Sequence, residues 1–250
     1  MAHFARTIGT VHAGDGHLTV HPRLRARGER PLLVLLPSAG GSVLQYVGGI
    51  ERHRLVRRLV EDLQVTAVCG DFGGADTLGN DLATGRCRGV IDQARLGPDV
   101  SDAPVIGLAV SMGQATALKT ELRFPGTFRA VASISGLADL DDIVNNDRAG
   151  FAAKARTAYG VAPGAPLPPT ANPLTNVAGM AGITAWRGWT AADDPLTLAS
   201  RGEALETALR GVGVDATHTV LPSGGHADSI VPAVPYDELR DFLAEQVAAA

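Results

Sequence analysis

Apolar residues along the chain follow two alternating patterns. Short, nearly continuous apolar runs, such as LLVLL at 32–36, are typical of strands that are buried on both faces. Between them lie longer segments in which apolar residues recur at helical spacing, as at 50–63. The predicted strands are 7–11, 18–20, 32–36, 65–69, 105–110, 130–135, 183–189 and 217–221. The predicted helices are 50–63, 80–96, 114–124, 141–159, 198–209 and 236–248.

The alternation of strands and helices predicts an α/β fold with a mostly parallel central sheet and helices on both of its faces. The first two strands differ, because a Gly-Asp-Gly turn at 14–16 predicts that they pair as a hairpin. No internal repeat or domain linker is visible, which predicts that residues 1–250 form a single domain. In such sheets, ligands bind at the carboxyl ends of the strands. The candidate loops therefore follow strands 32–36, 105–110, 183–189 and 217–221.

Ser111 lies between a predicted strand and a predicted helix, with the small residues Ala109 and Gly113 on either side. A serine on a tight strand-to-helix turn is typical of a nucleophile elbow, in which small flanking residues let strand and helix approach. The alternative is a serine that only caps the helix. The chain has three other Ser-x-Gly triplets, but in each of them the residue two positions before the serine is leucine. These triplets begin at Ser38, Ser200 and Ser223.

A serine nucleophile requires a base, and two of the seven histidines follow Ser111 in the chain, namely His218 and His226. His218 lies within a predicted strand, where a packed or surface histidine is the usual finding. His226 follows Gly224 and Gly225 in the loop beyond that strand, from which an imidazole can reach across the sheet edge. We therefore predict that His226 is the base, with an ordinary solvated loop histidine as the alternative.

The base in turn needs a carboxylate to orient it, and two groups of aspartates follow predicted strands. Asp193 and Asp194 come after strand 183–189 and precede a helix, so one of them could be only a helix cap. The second group comes after strand 130–135, and its members are Asp139, Asp141 and Asp142.

An acyl-transfer site also needs hydrogen-bond donors for the oxyanion. The backbone N–H of Met112, directly after Ser111, is one candidate. The second is expected in the loop after strand 32–36, where Ala39 is the favoured donor and Ser38 could add a hydroxyl. The alternative is that the glycines of this loop serve only a turn.

At this point the chain resembles the α/β-hydrolase family. The resemblance is carried by LLVLLPSAGGS, GLAVSMGQA, TAADDP and PSGGHAD, in that order, and extends from about residue 32 to the C-terminus. It implies an α/β-hydrolase fold in which Ser111 is the nucleophile, Asp194 the acid and His226 the base, while Asp193 faces solvent or caps the next helix. Two departures stand out: Ala109 replaces the first elbow glycine, and Pro37-Ser38 replaces the family's His-Gly.

The family often carries a cap between the strands that correspond to 130–135 and 183–189, which implies a small insertion at 137–182. Its aromatic and apolar residues Phe151, Tyr159 and Leu167 would then line an acyl pocket, although they could equally be ordinary core residues. The same two interpretations apply to Tyr46, Phe72 and Trp189.

These observations predict a serine hydrolase, most simply a carboxylesterase that acts on a small-molecule or lipid-like ester and requires no cofactor or metal. An amidase or thioesterase would use the same residues. The alternative from another function class is a structural or binding protein in which catalysis is only incidental. The segment at 139–160 resembles, in texture, small hydrolases of high-GC bacteria and their phages, some of which accompany virion tail proteins. A virion tail partner is therefore a further expectation.

Composition narrows the remaining function classes. The net charge of −4 gives no basic footprint for nucleic acid, and no apolar run approaches the length of a membrane span. The N-terminal segment shows no signal-peptide pattern, so the expected location is the cytoplasm, or a virion if the phage resemblance holds. The two cysteines, Cys69 and Cys87, are predicted to be buried free thiols, with a disulfide as the alternative.

Overall fold

The computed structural model describes residues 5–12, 15–22, 30–41, 51–74, 76–97, 100 and 105–249. Within these ranges, eight strands form one sheet, and each predicted strand is found. Strands 32–36 and 105–110 have the predicted ends, whereas the ends of the others are displaced by up to three residues. The strands are β1 Ala5–His12, β2 Asp15–His21, β3 Leu32–Leu36, β4 Thr66–Gly70, β5 Val105–Val110, β6 Phe128–Ile134, β7 Ala185–Ala191 and β8 Asp215–Leu221.

The α-helices of the same ranges alternate with the strands after β3. They are α1 Glu51–Leu63, α2 Asp81–Arg95, α3 Met112–Arg123, α4 Leu140–Asn145, α5 Phe151–Ala158, α6 Ala199–Gly211 and α7 Tyr236–Ala248. Short 3-10 segments cover Arg148–Gly150, Leu174–Met180, Ala227–Ser229 and Val231–Ala233.

The strand order across the sheet is β1-β2-β4-β3-β5-β6-β7-β8. β1 pairs antiparallel with β2, and β2 pairs antiparallel with β4, whereas all pairs from β4 to β8 are parallel. The predicted mostly parallel sheet is therefore confirmed, as is the pairing of the first two strands. Of the predicted turn at 14–16, residue 14 lies outside the described residues.

Alternate residues of the central strands enter different apolar clusters, because successive side chains of a strand point to opposite faces. In β5, Ile106 and Leu108 pack with residues of α1 and α7, whereas Val105 and Ala109 pack with residues of α2, α3 and α6. Helices therefore cover both faces of the sheet, and the continuous apolar runs are explained by burial on both sides.

The prediction of one continuous helix at 141–159 is wrong, since the structure divides it into α4 and α5. Asp147, Ala149 and Gly150 between them have positive φ angles of 43°, 51° and 73°. The carboxylate of Asp147 also accepts a hydrogen bond from the N–H of Ala152 at 3.1 Å, at the start of α5. Aspartate and glycine tolerate this left-handed region, which no helix can continue through.

Residues 137–182, which contain α4 and α5, connect β6 to β7. Their assignment as an insertion, and that of residues 1–250 as a single domain, stay predictions. Cys69 and Cys87 are buried free thiols, in agreement with the prediction. Burial raises the pKa of the Cys87 thiol to about 12, so this group stays protonated and unreactive at neutral pH.

Candidate active site

Ser111 is the one residue between β5 and α3, and its backbone φ and ψ angles are 52° and −116°. Its backbone N–H donates to the carbonyl of Ile134 at 2.9 Å, and its own carbonyl accepts from the N–H of Leu137 at 3.0 Å. These bonds to the end of β6 and the segment after it hold the serine in a conformation that is costly for a non-glycine residue.

The glycine two positions after the serine has a steric reason. A Cβ atom on Gly113 would lie 2.2 Å from the carbonyl oxygen of Leu36, so any side chain would push α3 away from β3. Ala109, two positions before, is fully buried within β5 and is accommodated as a methyl group. The departure from glycine at this position therefore leaves the turn intact.

The structure brings three of the sequence-predicted residues into one hydrogen-bonded chain. The Oγ of Ser111 lies 2.8 Å from Nε2 of His226. The Nδ1 of the same imidazole lies 2.8 Å from Oδ2 of Asp194 and 3.1 Å from its Oδ1. The three side chains come from the loops after β5, β8 and β7, respectively, and these loops lie at one edge of the sheet because the strands are parallel.

The other candidate aspartates lie elsewhere. Asp139 caps α4 by accepting hydrogen bonds from the N–H groups of Asp141 and Asp142. Asp142 is buried and forms ion pairs with Arg148 and Arg201. The arrangement therefore favours Asp194 as the partner of His226 over the group that follows β6.

Asp194 is almost completely buried and accepts several hydrogen bonds besides the one from His226. The N–H groups of Leu196 and Thr197 donate to Oδ1 at 2.9 Å each, and the Thr197 hydroxyl donates to Oδ2 at 2.7 Å. Burial alone would raise the pKa of Asp194, but the hydrogen bond and charge of His226 and the Thr197 bonds together lower it. The carboxylate is thus ionised at neutral pH.

Thr197 is a site residue that we did not predict from the sequence. Its only local signal is its position three residues after Asp194, from which a hydroxyl and a backbone N–H can both return to the carboxylate.

Asp193 is exposed, as one of the two expectations had it, but it does not cap the next helix. Its Oδ1 instead accepts hydrogen bonds from the N–H groups of Gly224 at 3.0 Å and Gly225 at 2.9 Å. The two adjacent aspartates therefore hold the same loop: Asp194 binds the imidazole of His226, and Asp193 binds the backbone just before it.

The loop after β3 forms a turn in which the N–H of Gly41 donates to the carbonyl of Ser38 at 2.9 Å, with Gly40 at φ 72°. Ala39 follows Ser38 in this turn, and both residues border the same cavity as Ser111 and Met112. Among the described residues, no hydrogen bond from the N–H of Ala39 or Met112 is found. Both predicted oxyanion donors thus border the space in front of Ser111.

This cavity has a volume of about 140 Å³. Among the residues that the structure describes, its polar members are Ser38, Ser111, Thr197 and His226, and no aspartate, glutamate, lysine or arginine of these ranges lines it. The apolar part of its wall comes from Leu78, Leu137, Ile143, Phe151 and Leu196.

Of the aromatic and apolar residues considered for an acyl pocket, Phe151 lines the cavity. Tyr159 does not, since its hydroxyl accepts from Nζ of Lys119 at 2.7 Å and donates to a backbone carbonyl. Leu167 is buried in the apolar cluster that also contains the cavity-lining residues Leu137 and Ile143, but it does not line the cavity itself. Phe72 and Trp189 belong to the clusters packed on the sheet, and Tyr46 lies outside the described residues.

Within the described ranges, no group of three or more histidine, cysteine, aspartate or glutamate side chains is arranged to hold a metal ion. No helix in this part of the chain is long and apolar enough to cross a membrane.

No family model and no curated protein sequence matches the chain. Its structure is similar to that of an S-formylglutathione hydrolase from Agrobacterium tumefaciens, with a TM-score of 0.71, 12% identity, and coverage of 93% of this chain and 90% of that one. An esterase/lipase from an uncultured bacterium gives a TM-score of 0.75 and 19% identity, over 98% of this chain and 85% of that one. A fungal esterase from Rhizomucor miehei gives a TM-score of 0.74 and 15% identity, over 99% of this chain and 84% of that one. With this strand order and these neighbours, the chain has the α/β-hydrolase fold that the sequence predicts.

Proposed function

We propose that the protein is a serine hydrolase that cleaves carboxylic esters through an acyl-enzyme on Ser111. The observation that carries this proposal is the hydrogen-bonded chain from Ser111 through His226 to Asp194, with both key distances at 2.8 Å. A nucleophile, a base within hydrogen-bond reach and a third group that orients the base are the parts that nucleophilic catalysis requires. The resemblance to esterase structures in fold is consistent with this chemistry.

In the first half of the reaction, Ser111 Oγ attacks the ester carbonyl carbon while His226 Nε2 accepts the hydroxyl proton. The C–O bond to the alcohol then breaks, and the imidazolium returns the proton to the departing oxygen. In the second half, water attacks the acyl carbon while the same nitrogen takes one of its protons. The bond between the acyl carbon and Ser111 Oγ then breaks, Oγ receives that proton, and the carboxylic acid leaves.

Asp194 supports both halves without itself reacting. Because its pKa is lowered, it is ionised and accepts the Nδ1–H of His226, which leaves the Nε2 lone pair directed at Ser111. The N–H groups of Met112 and Ala39 are the proposed donors to the negative oxygen of the tetrahedral intermediate.

The cavity favours an uncharged ester with a compact acyl group. None of the described residues that line it is an aspartate, glutamate, lysine or arginine, so a charged acyl group would lose its hydration there without gaining a charged partner from them. Its volume of about 140 Å³ is close to that of an apolar cavity that holds one benzene molecule, about 150 Å³. We therefore place acyl groups of about that size within the cavity, whereas longer lipid-like chains would have to extend beyond it.

Narrowing this cavity should change acyl preference. Ile143→Trp places a larger side chain in the wall, so hydrolysis of p-nitrophenyl hexanoate should fall at least about fivefold relative to p-nitrophenyl acetate, in line with an overpacking cost of about 1–3 kcal/mol. Leu96→Trp, on an exposed residue after α2, is the matched control and should leave the ratio unchanged. An unchanged ratio in a folded Ile143→Trp protein would contradict the assignment of this cavity to the acyl group.

The decisive test of the proposed function is covalent labelling of the nucleophile. The wild-type protein should hydrolyse p-nitrophenyl acetate and should be inactivated by a fluorophosphonate in step with its labelling. Mass mapping of the labelled peptides should place the adduct on Ser111. An adduct on another serine, such as Ser38, or ester hydrolysis that survives complete labelling, would overturn the proposal.

The two adjacent aspartates should behave differently when each is changed to asparagine. Asp194→Asn should lower kcat by about 10⁴, because an asparagine favours the wrong imidazole tautomer while the geometry is kept. Asp193→Asn retains a carbonyl oxygen for the N–H groups of Gly224 and Gly225 and should keep most of kcat. Steady-state kinetics on both variants, with melting curves as the folding control, checks this. The assignment fails if Asp193→Asn is the more damaging change.

The same three residues would also act on a thioester or an amide, so the leaving group is a separate question. Comparing kcat/KM for an ester, a thioester and an anilide with the same acyl group answers it. The expected virion tail partner and the expected location in the cytoplasm or a virion concern features that neither the fold nor the site addresses, and both stay predictions.

A further inference from the structure

We propose that the Ser38 hydroxyl is a third donor to the oxyanion and that Arg52, paired with Asp228, sets its direction. This inference rests on the proposed function and adds two residues to it. It makes Ser38 a group that touches the reacting substrate, and it makes Arg52 a positioning residue.

The first step concerns the hydrogen bond between Arg52 and Ser38. Nη2 of Arg52 lies 2.9 Å from Oγ of Ser38. A guanidinium has only donors, so the serine oxygen must be the acceptor in this bond. The hydrogen of the Ser38 hydroxyl is therefore left to donate to another group, and Ser38 borders the cavity in front of Ser111.

The second step concerns what fixes Arg52. The side chain extends from α1, is 1% exposed and forms an ion pair with the carboxylate of Asp228. Asp228 lies two residues after His226, in the short 3-10 segment Ala227–Ser229. One buried guanidinium thus contacts the loop that carries Ser38 and Ala39 and the loop that carries the base.

The third step concerns why such a donor would affect the chemistry. Negative charge develops on the substrate oxygen only as Ser111 attacks, so a donor aimed at that oxygen stabilises the transition state more than bound substrate. A hydroxyl can rotate away, and the bond from Arg52 to its oxygen restricts that rotation. Losing either residue should therefore lower kcat and leave KM nearly unchanged.

The test uses kcat and KM for p-nitrophenyl acetate in Ser38→Ala, Arg52→Met and the double variant. Ser38→Ala should lower kcat by about 10², at the lower end of the effect of removing one oxyanion donor. Arg52→Met should lower kcat to a similar degree, and the double variant should be no worse than the larger single loss, because the two residues act as one unit. Ser38→Thr keeps a hydroxyl and should be more active than Ser38→Ala.

The matched control is Arg58→Met, on the same helix. Arg58 is exposed and packs over the ring of Tyr236, 3.6 Å from its centroid, away from the cavity. This variant should keep wild-type kcat. If Arg52→Met does not fold, Arg52→Lys takes its place, since an ammonium keeps the charge without the planar fork of donors that reaches Ser38 and Asp228 together.

Three outcomes would overturn the inference: Ser38→Ala with kcat within about threefold of wild type, losses that appear in KM rather than kcat, or a double variant whose loss is the product of the two single losses. In a protein that hydrolyses esters and is labelled at Ser111, such a result leaves the proposed function standing. If the protein is not labelled at Ser111, the proposed function itself is wrong.

Discussion

Ser111→Ala is expected to abolish ester hydrolysis, with a fall in kcat of about 10⁶, the loss seen when a serine nucleophile of a triad is removed. The reason is that Ser111 Oγ lies 2.8 Å from Nε2 of His226, and no other described hydroxyl that lines the cavity forms a hydrogen bond with this nitrogen. Fluorophosphonate labelling should be lost together with turnover. The protein should remain folded, because the change removes one side-chain hydrogen bond worth about 0.5–1.5 kcal/mol.

The conformation of Ser111 allows a sharper version of this experiment. A φ of 52° is unfavourable for serine and alanine alike but accessible to glycine. Relief of this backbone strain should stabilise the folded protein by about 1–3 kcal/mol. Glycine also makes the unfolded chain more flexible, which lowers the free energy of unfolding by only about 0.4–1 kcal/mol. Ser111→Gly should therefore be as inactive as Ser111→Ala, but it should unfold at a higher temperature than Ser111→Ala.

The matched control is Ser200→Ala, since Ser200 begins another Ser-x-Gly triplet and is exposed on α6. It should keep wild-type activity and labelling. Residual turnover in purified Ser111→Ala of more than about a thousandth of wild type would contradict the assignment of the nucleophile, because background catalysis without a triad is smaller than that.

The parts of this fold that the sequence predicts are those that depend on local pattern. Continuous apolar runs identify strands buried on both faces, and helical spacing identifies the covering helices, as with β5 and α3 around Ser111. The elbow is predictable because its pattern, a serine between small residues at 109 and 113, is local in sequence, although the contact that excludes a side chain at Gly113 is the long-range one to the Leu36 carbonyl. Even the break between α4 and α5 has a local signal, because Asn145-Asn146-Asp147 and Gly150 all tolerate non-helical backbone.

The parts that the sequence does not predict depend on which loops meet in space. The hydrogen bond from the N–H of Gly224 to the carboxylate of Asp193 joins residues 31 positions apart and exists only because β7 and β8 are neighbours in the sheet. The link from Arg52 to Asp228 joins α1 to the last loop of the site. Helical periodicity predicts that residue 52 lies on one face of α1, but it does not identify a carboxylate near the other end of the chain as its partner.

His226→Ala is expected to lower kcat by about as much as Ser111→Ala, roughly 10⁶, because loss of either residue disables the unit. The imidazole is the group that lies within hydrogen-bond reach of Ser111 Oγ and can take its proton. Asp194 stays ionised at neutral pH because its pKa is lowered, and it therefore remains available to orient the imidazole.

His218→Ala is the matched control for a histidine that follows Ser111 in the chain. His218 stacks on Trp186 with ring centroids 6.2 Å apart, and its Nε2 lies 3.0 Å from the hydroxyl of Thr190. Burial lowers the pKa of His218, so the ring packs as a neutral group between β8 and α6. Its removal should lower the free energy of unfolding by about 1–3 kcal/mol and leave kcat nearly unchanged.

The two histidine variants therefore separate catalysis from packing when kinetics and thermal melts are measured together. His226 is partly exposed, with 21% of its side chain accessible, so added imidazole can enter the space left by His226→Ala and restore part of the turnover. Added imidazole should not change the turnover of His218→Ala, because that variant has lost a packed side chain and not the catalytic base. If His218→Ala is the inactive variant, or if His226→Ala keeps more than about a hundredth of wild-type kcat, proton transfer runs through another group and the assignment of His226 is wrong.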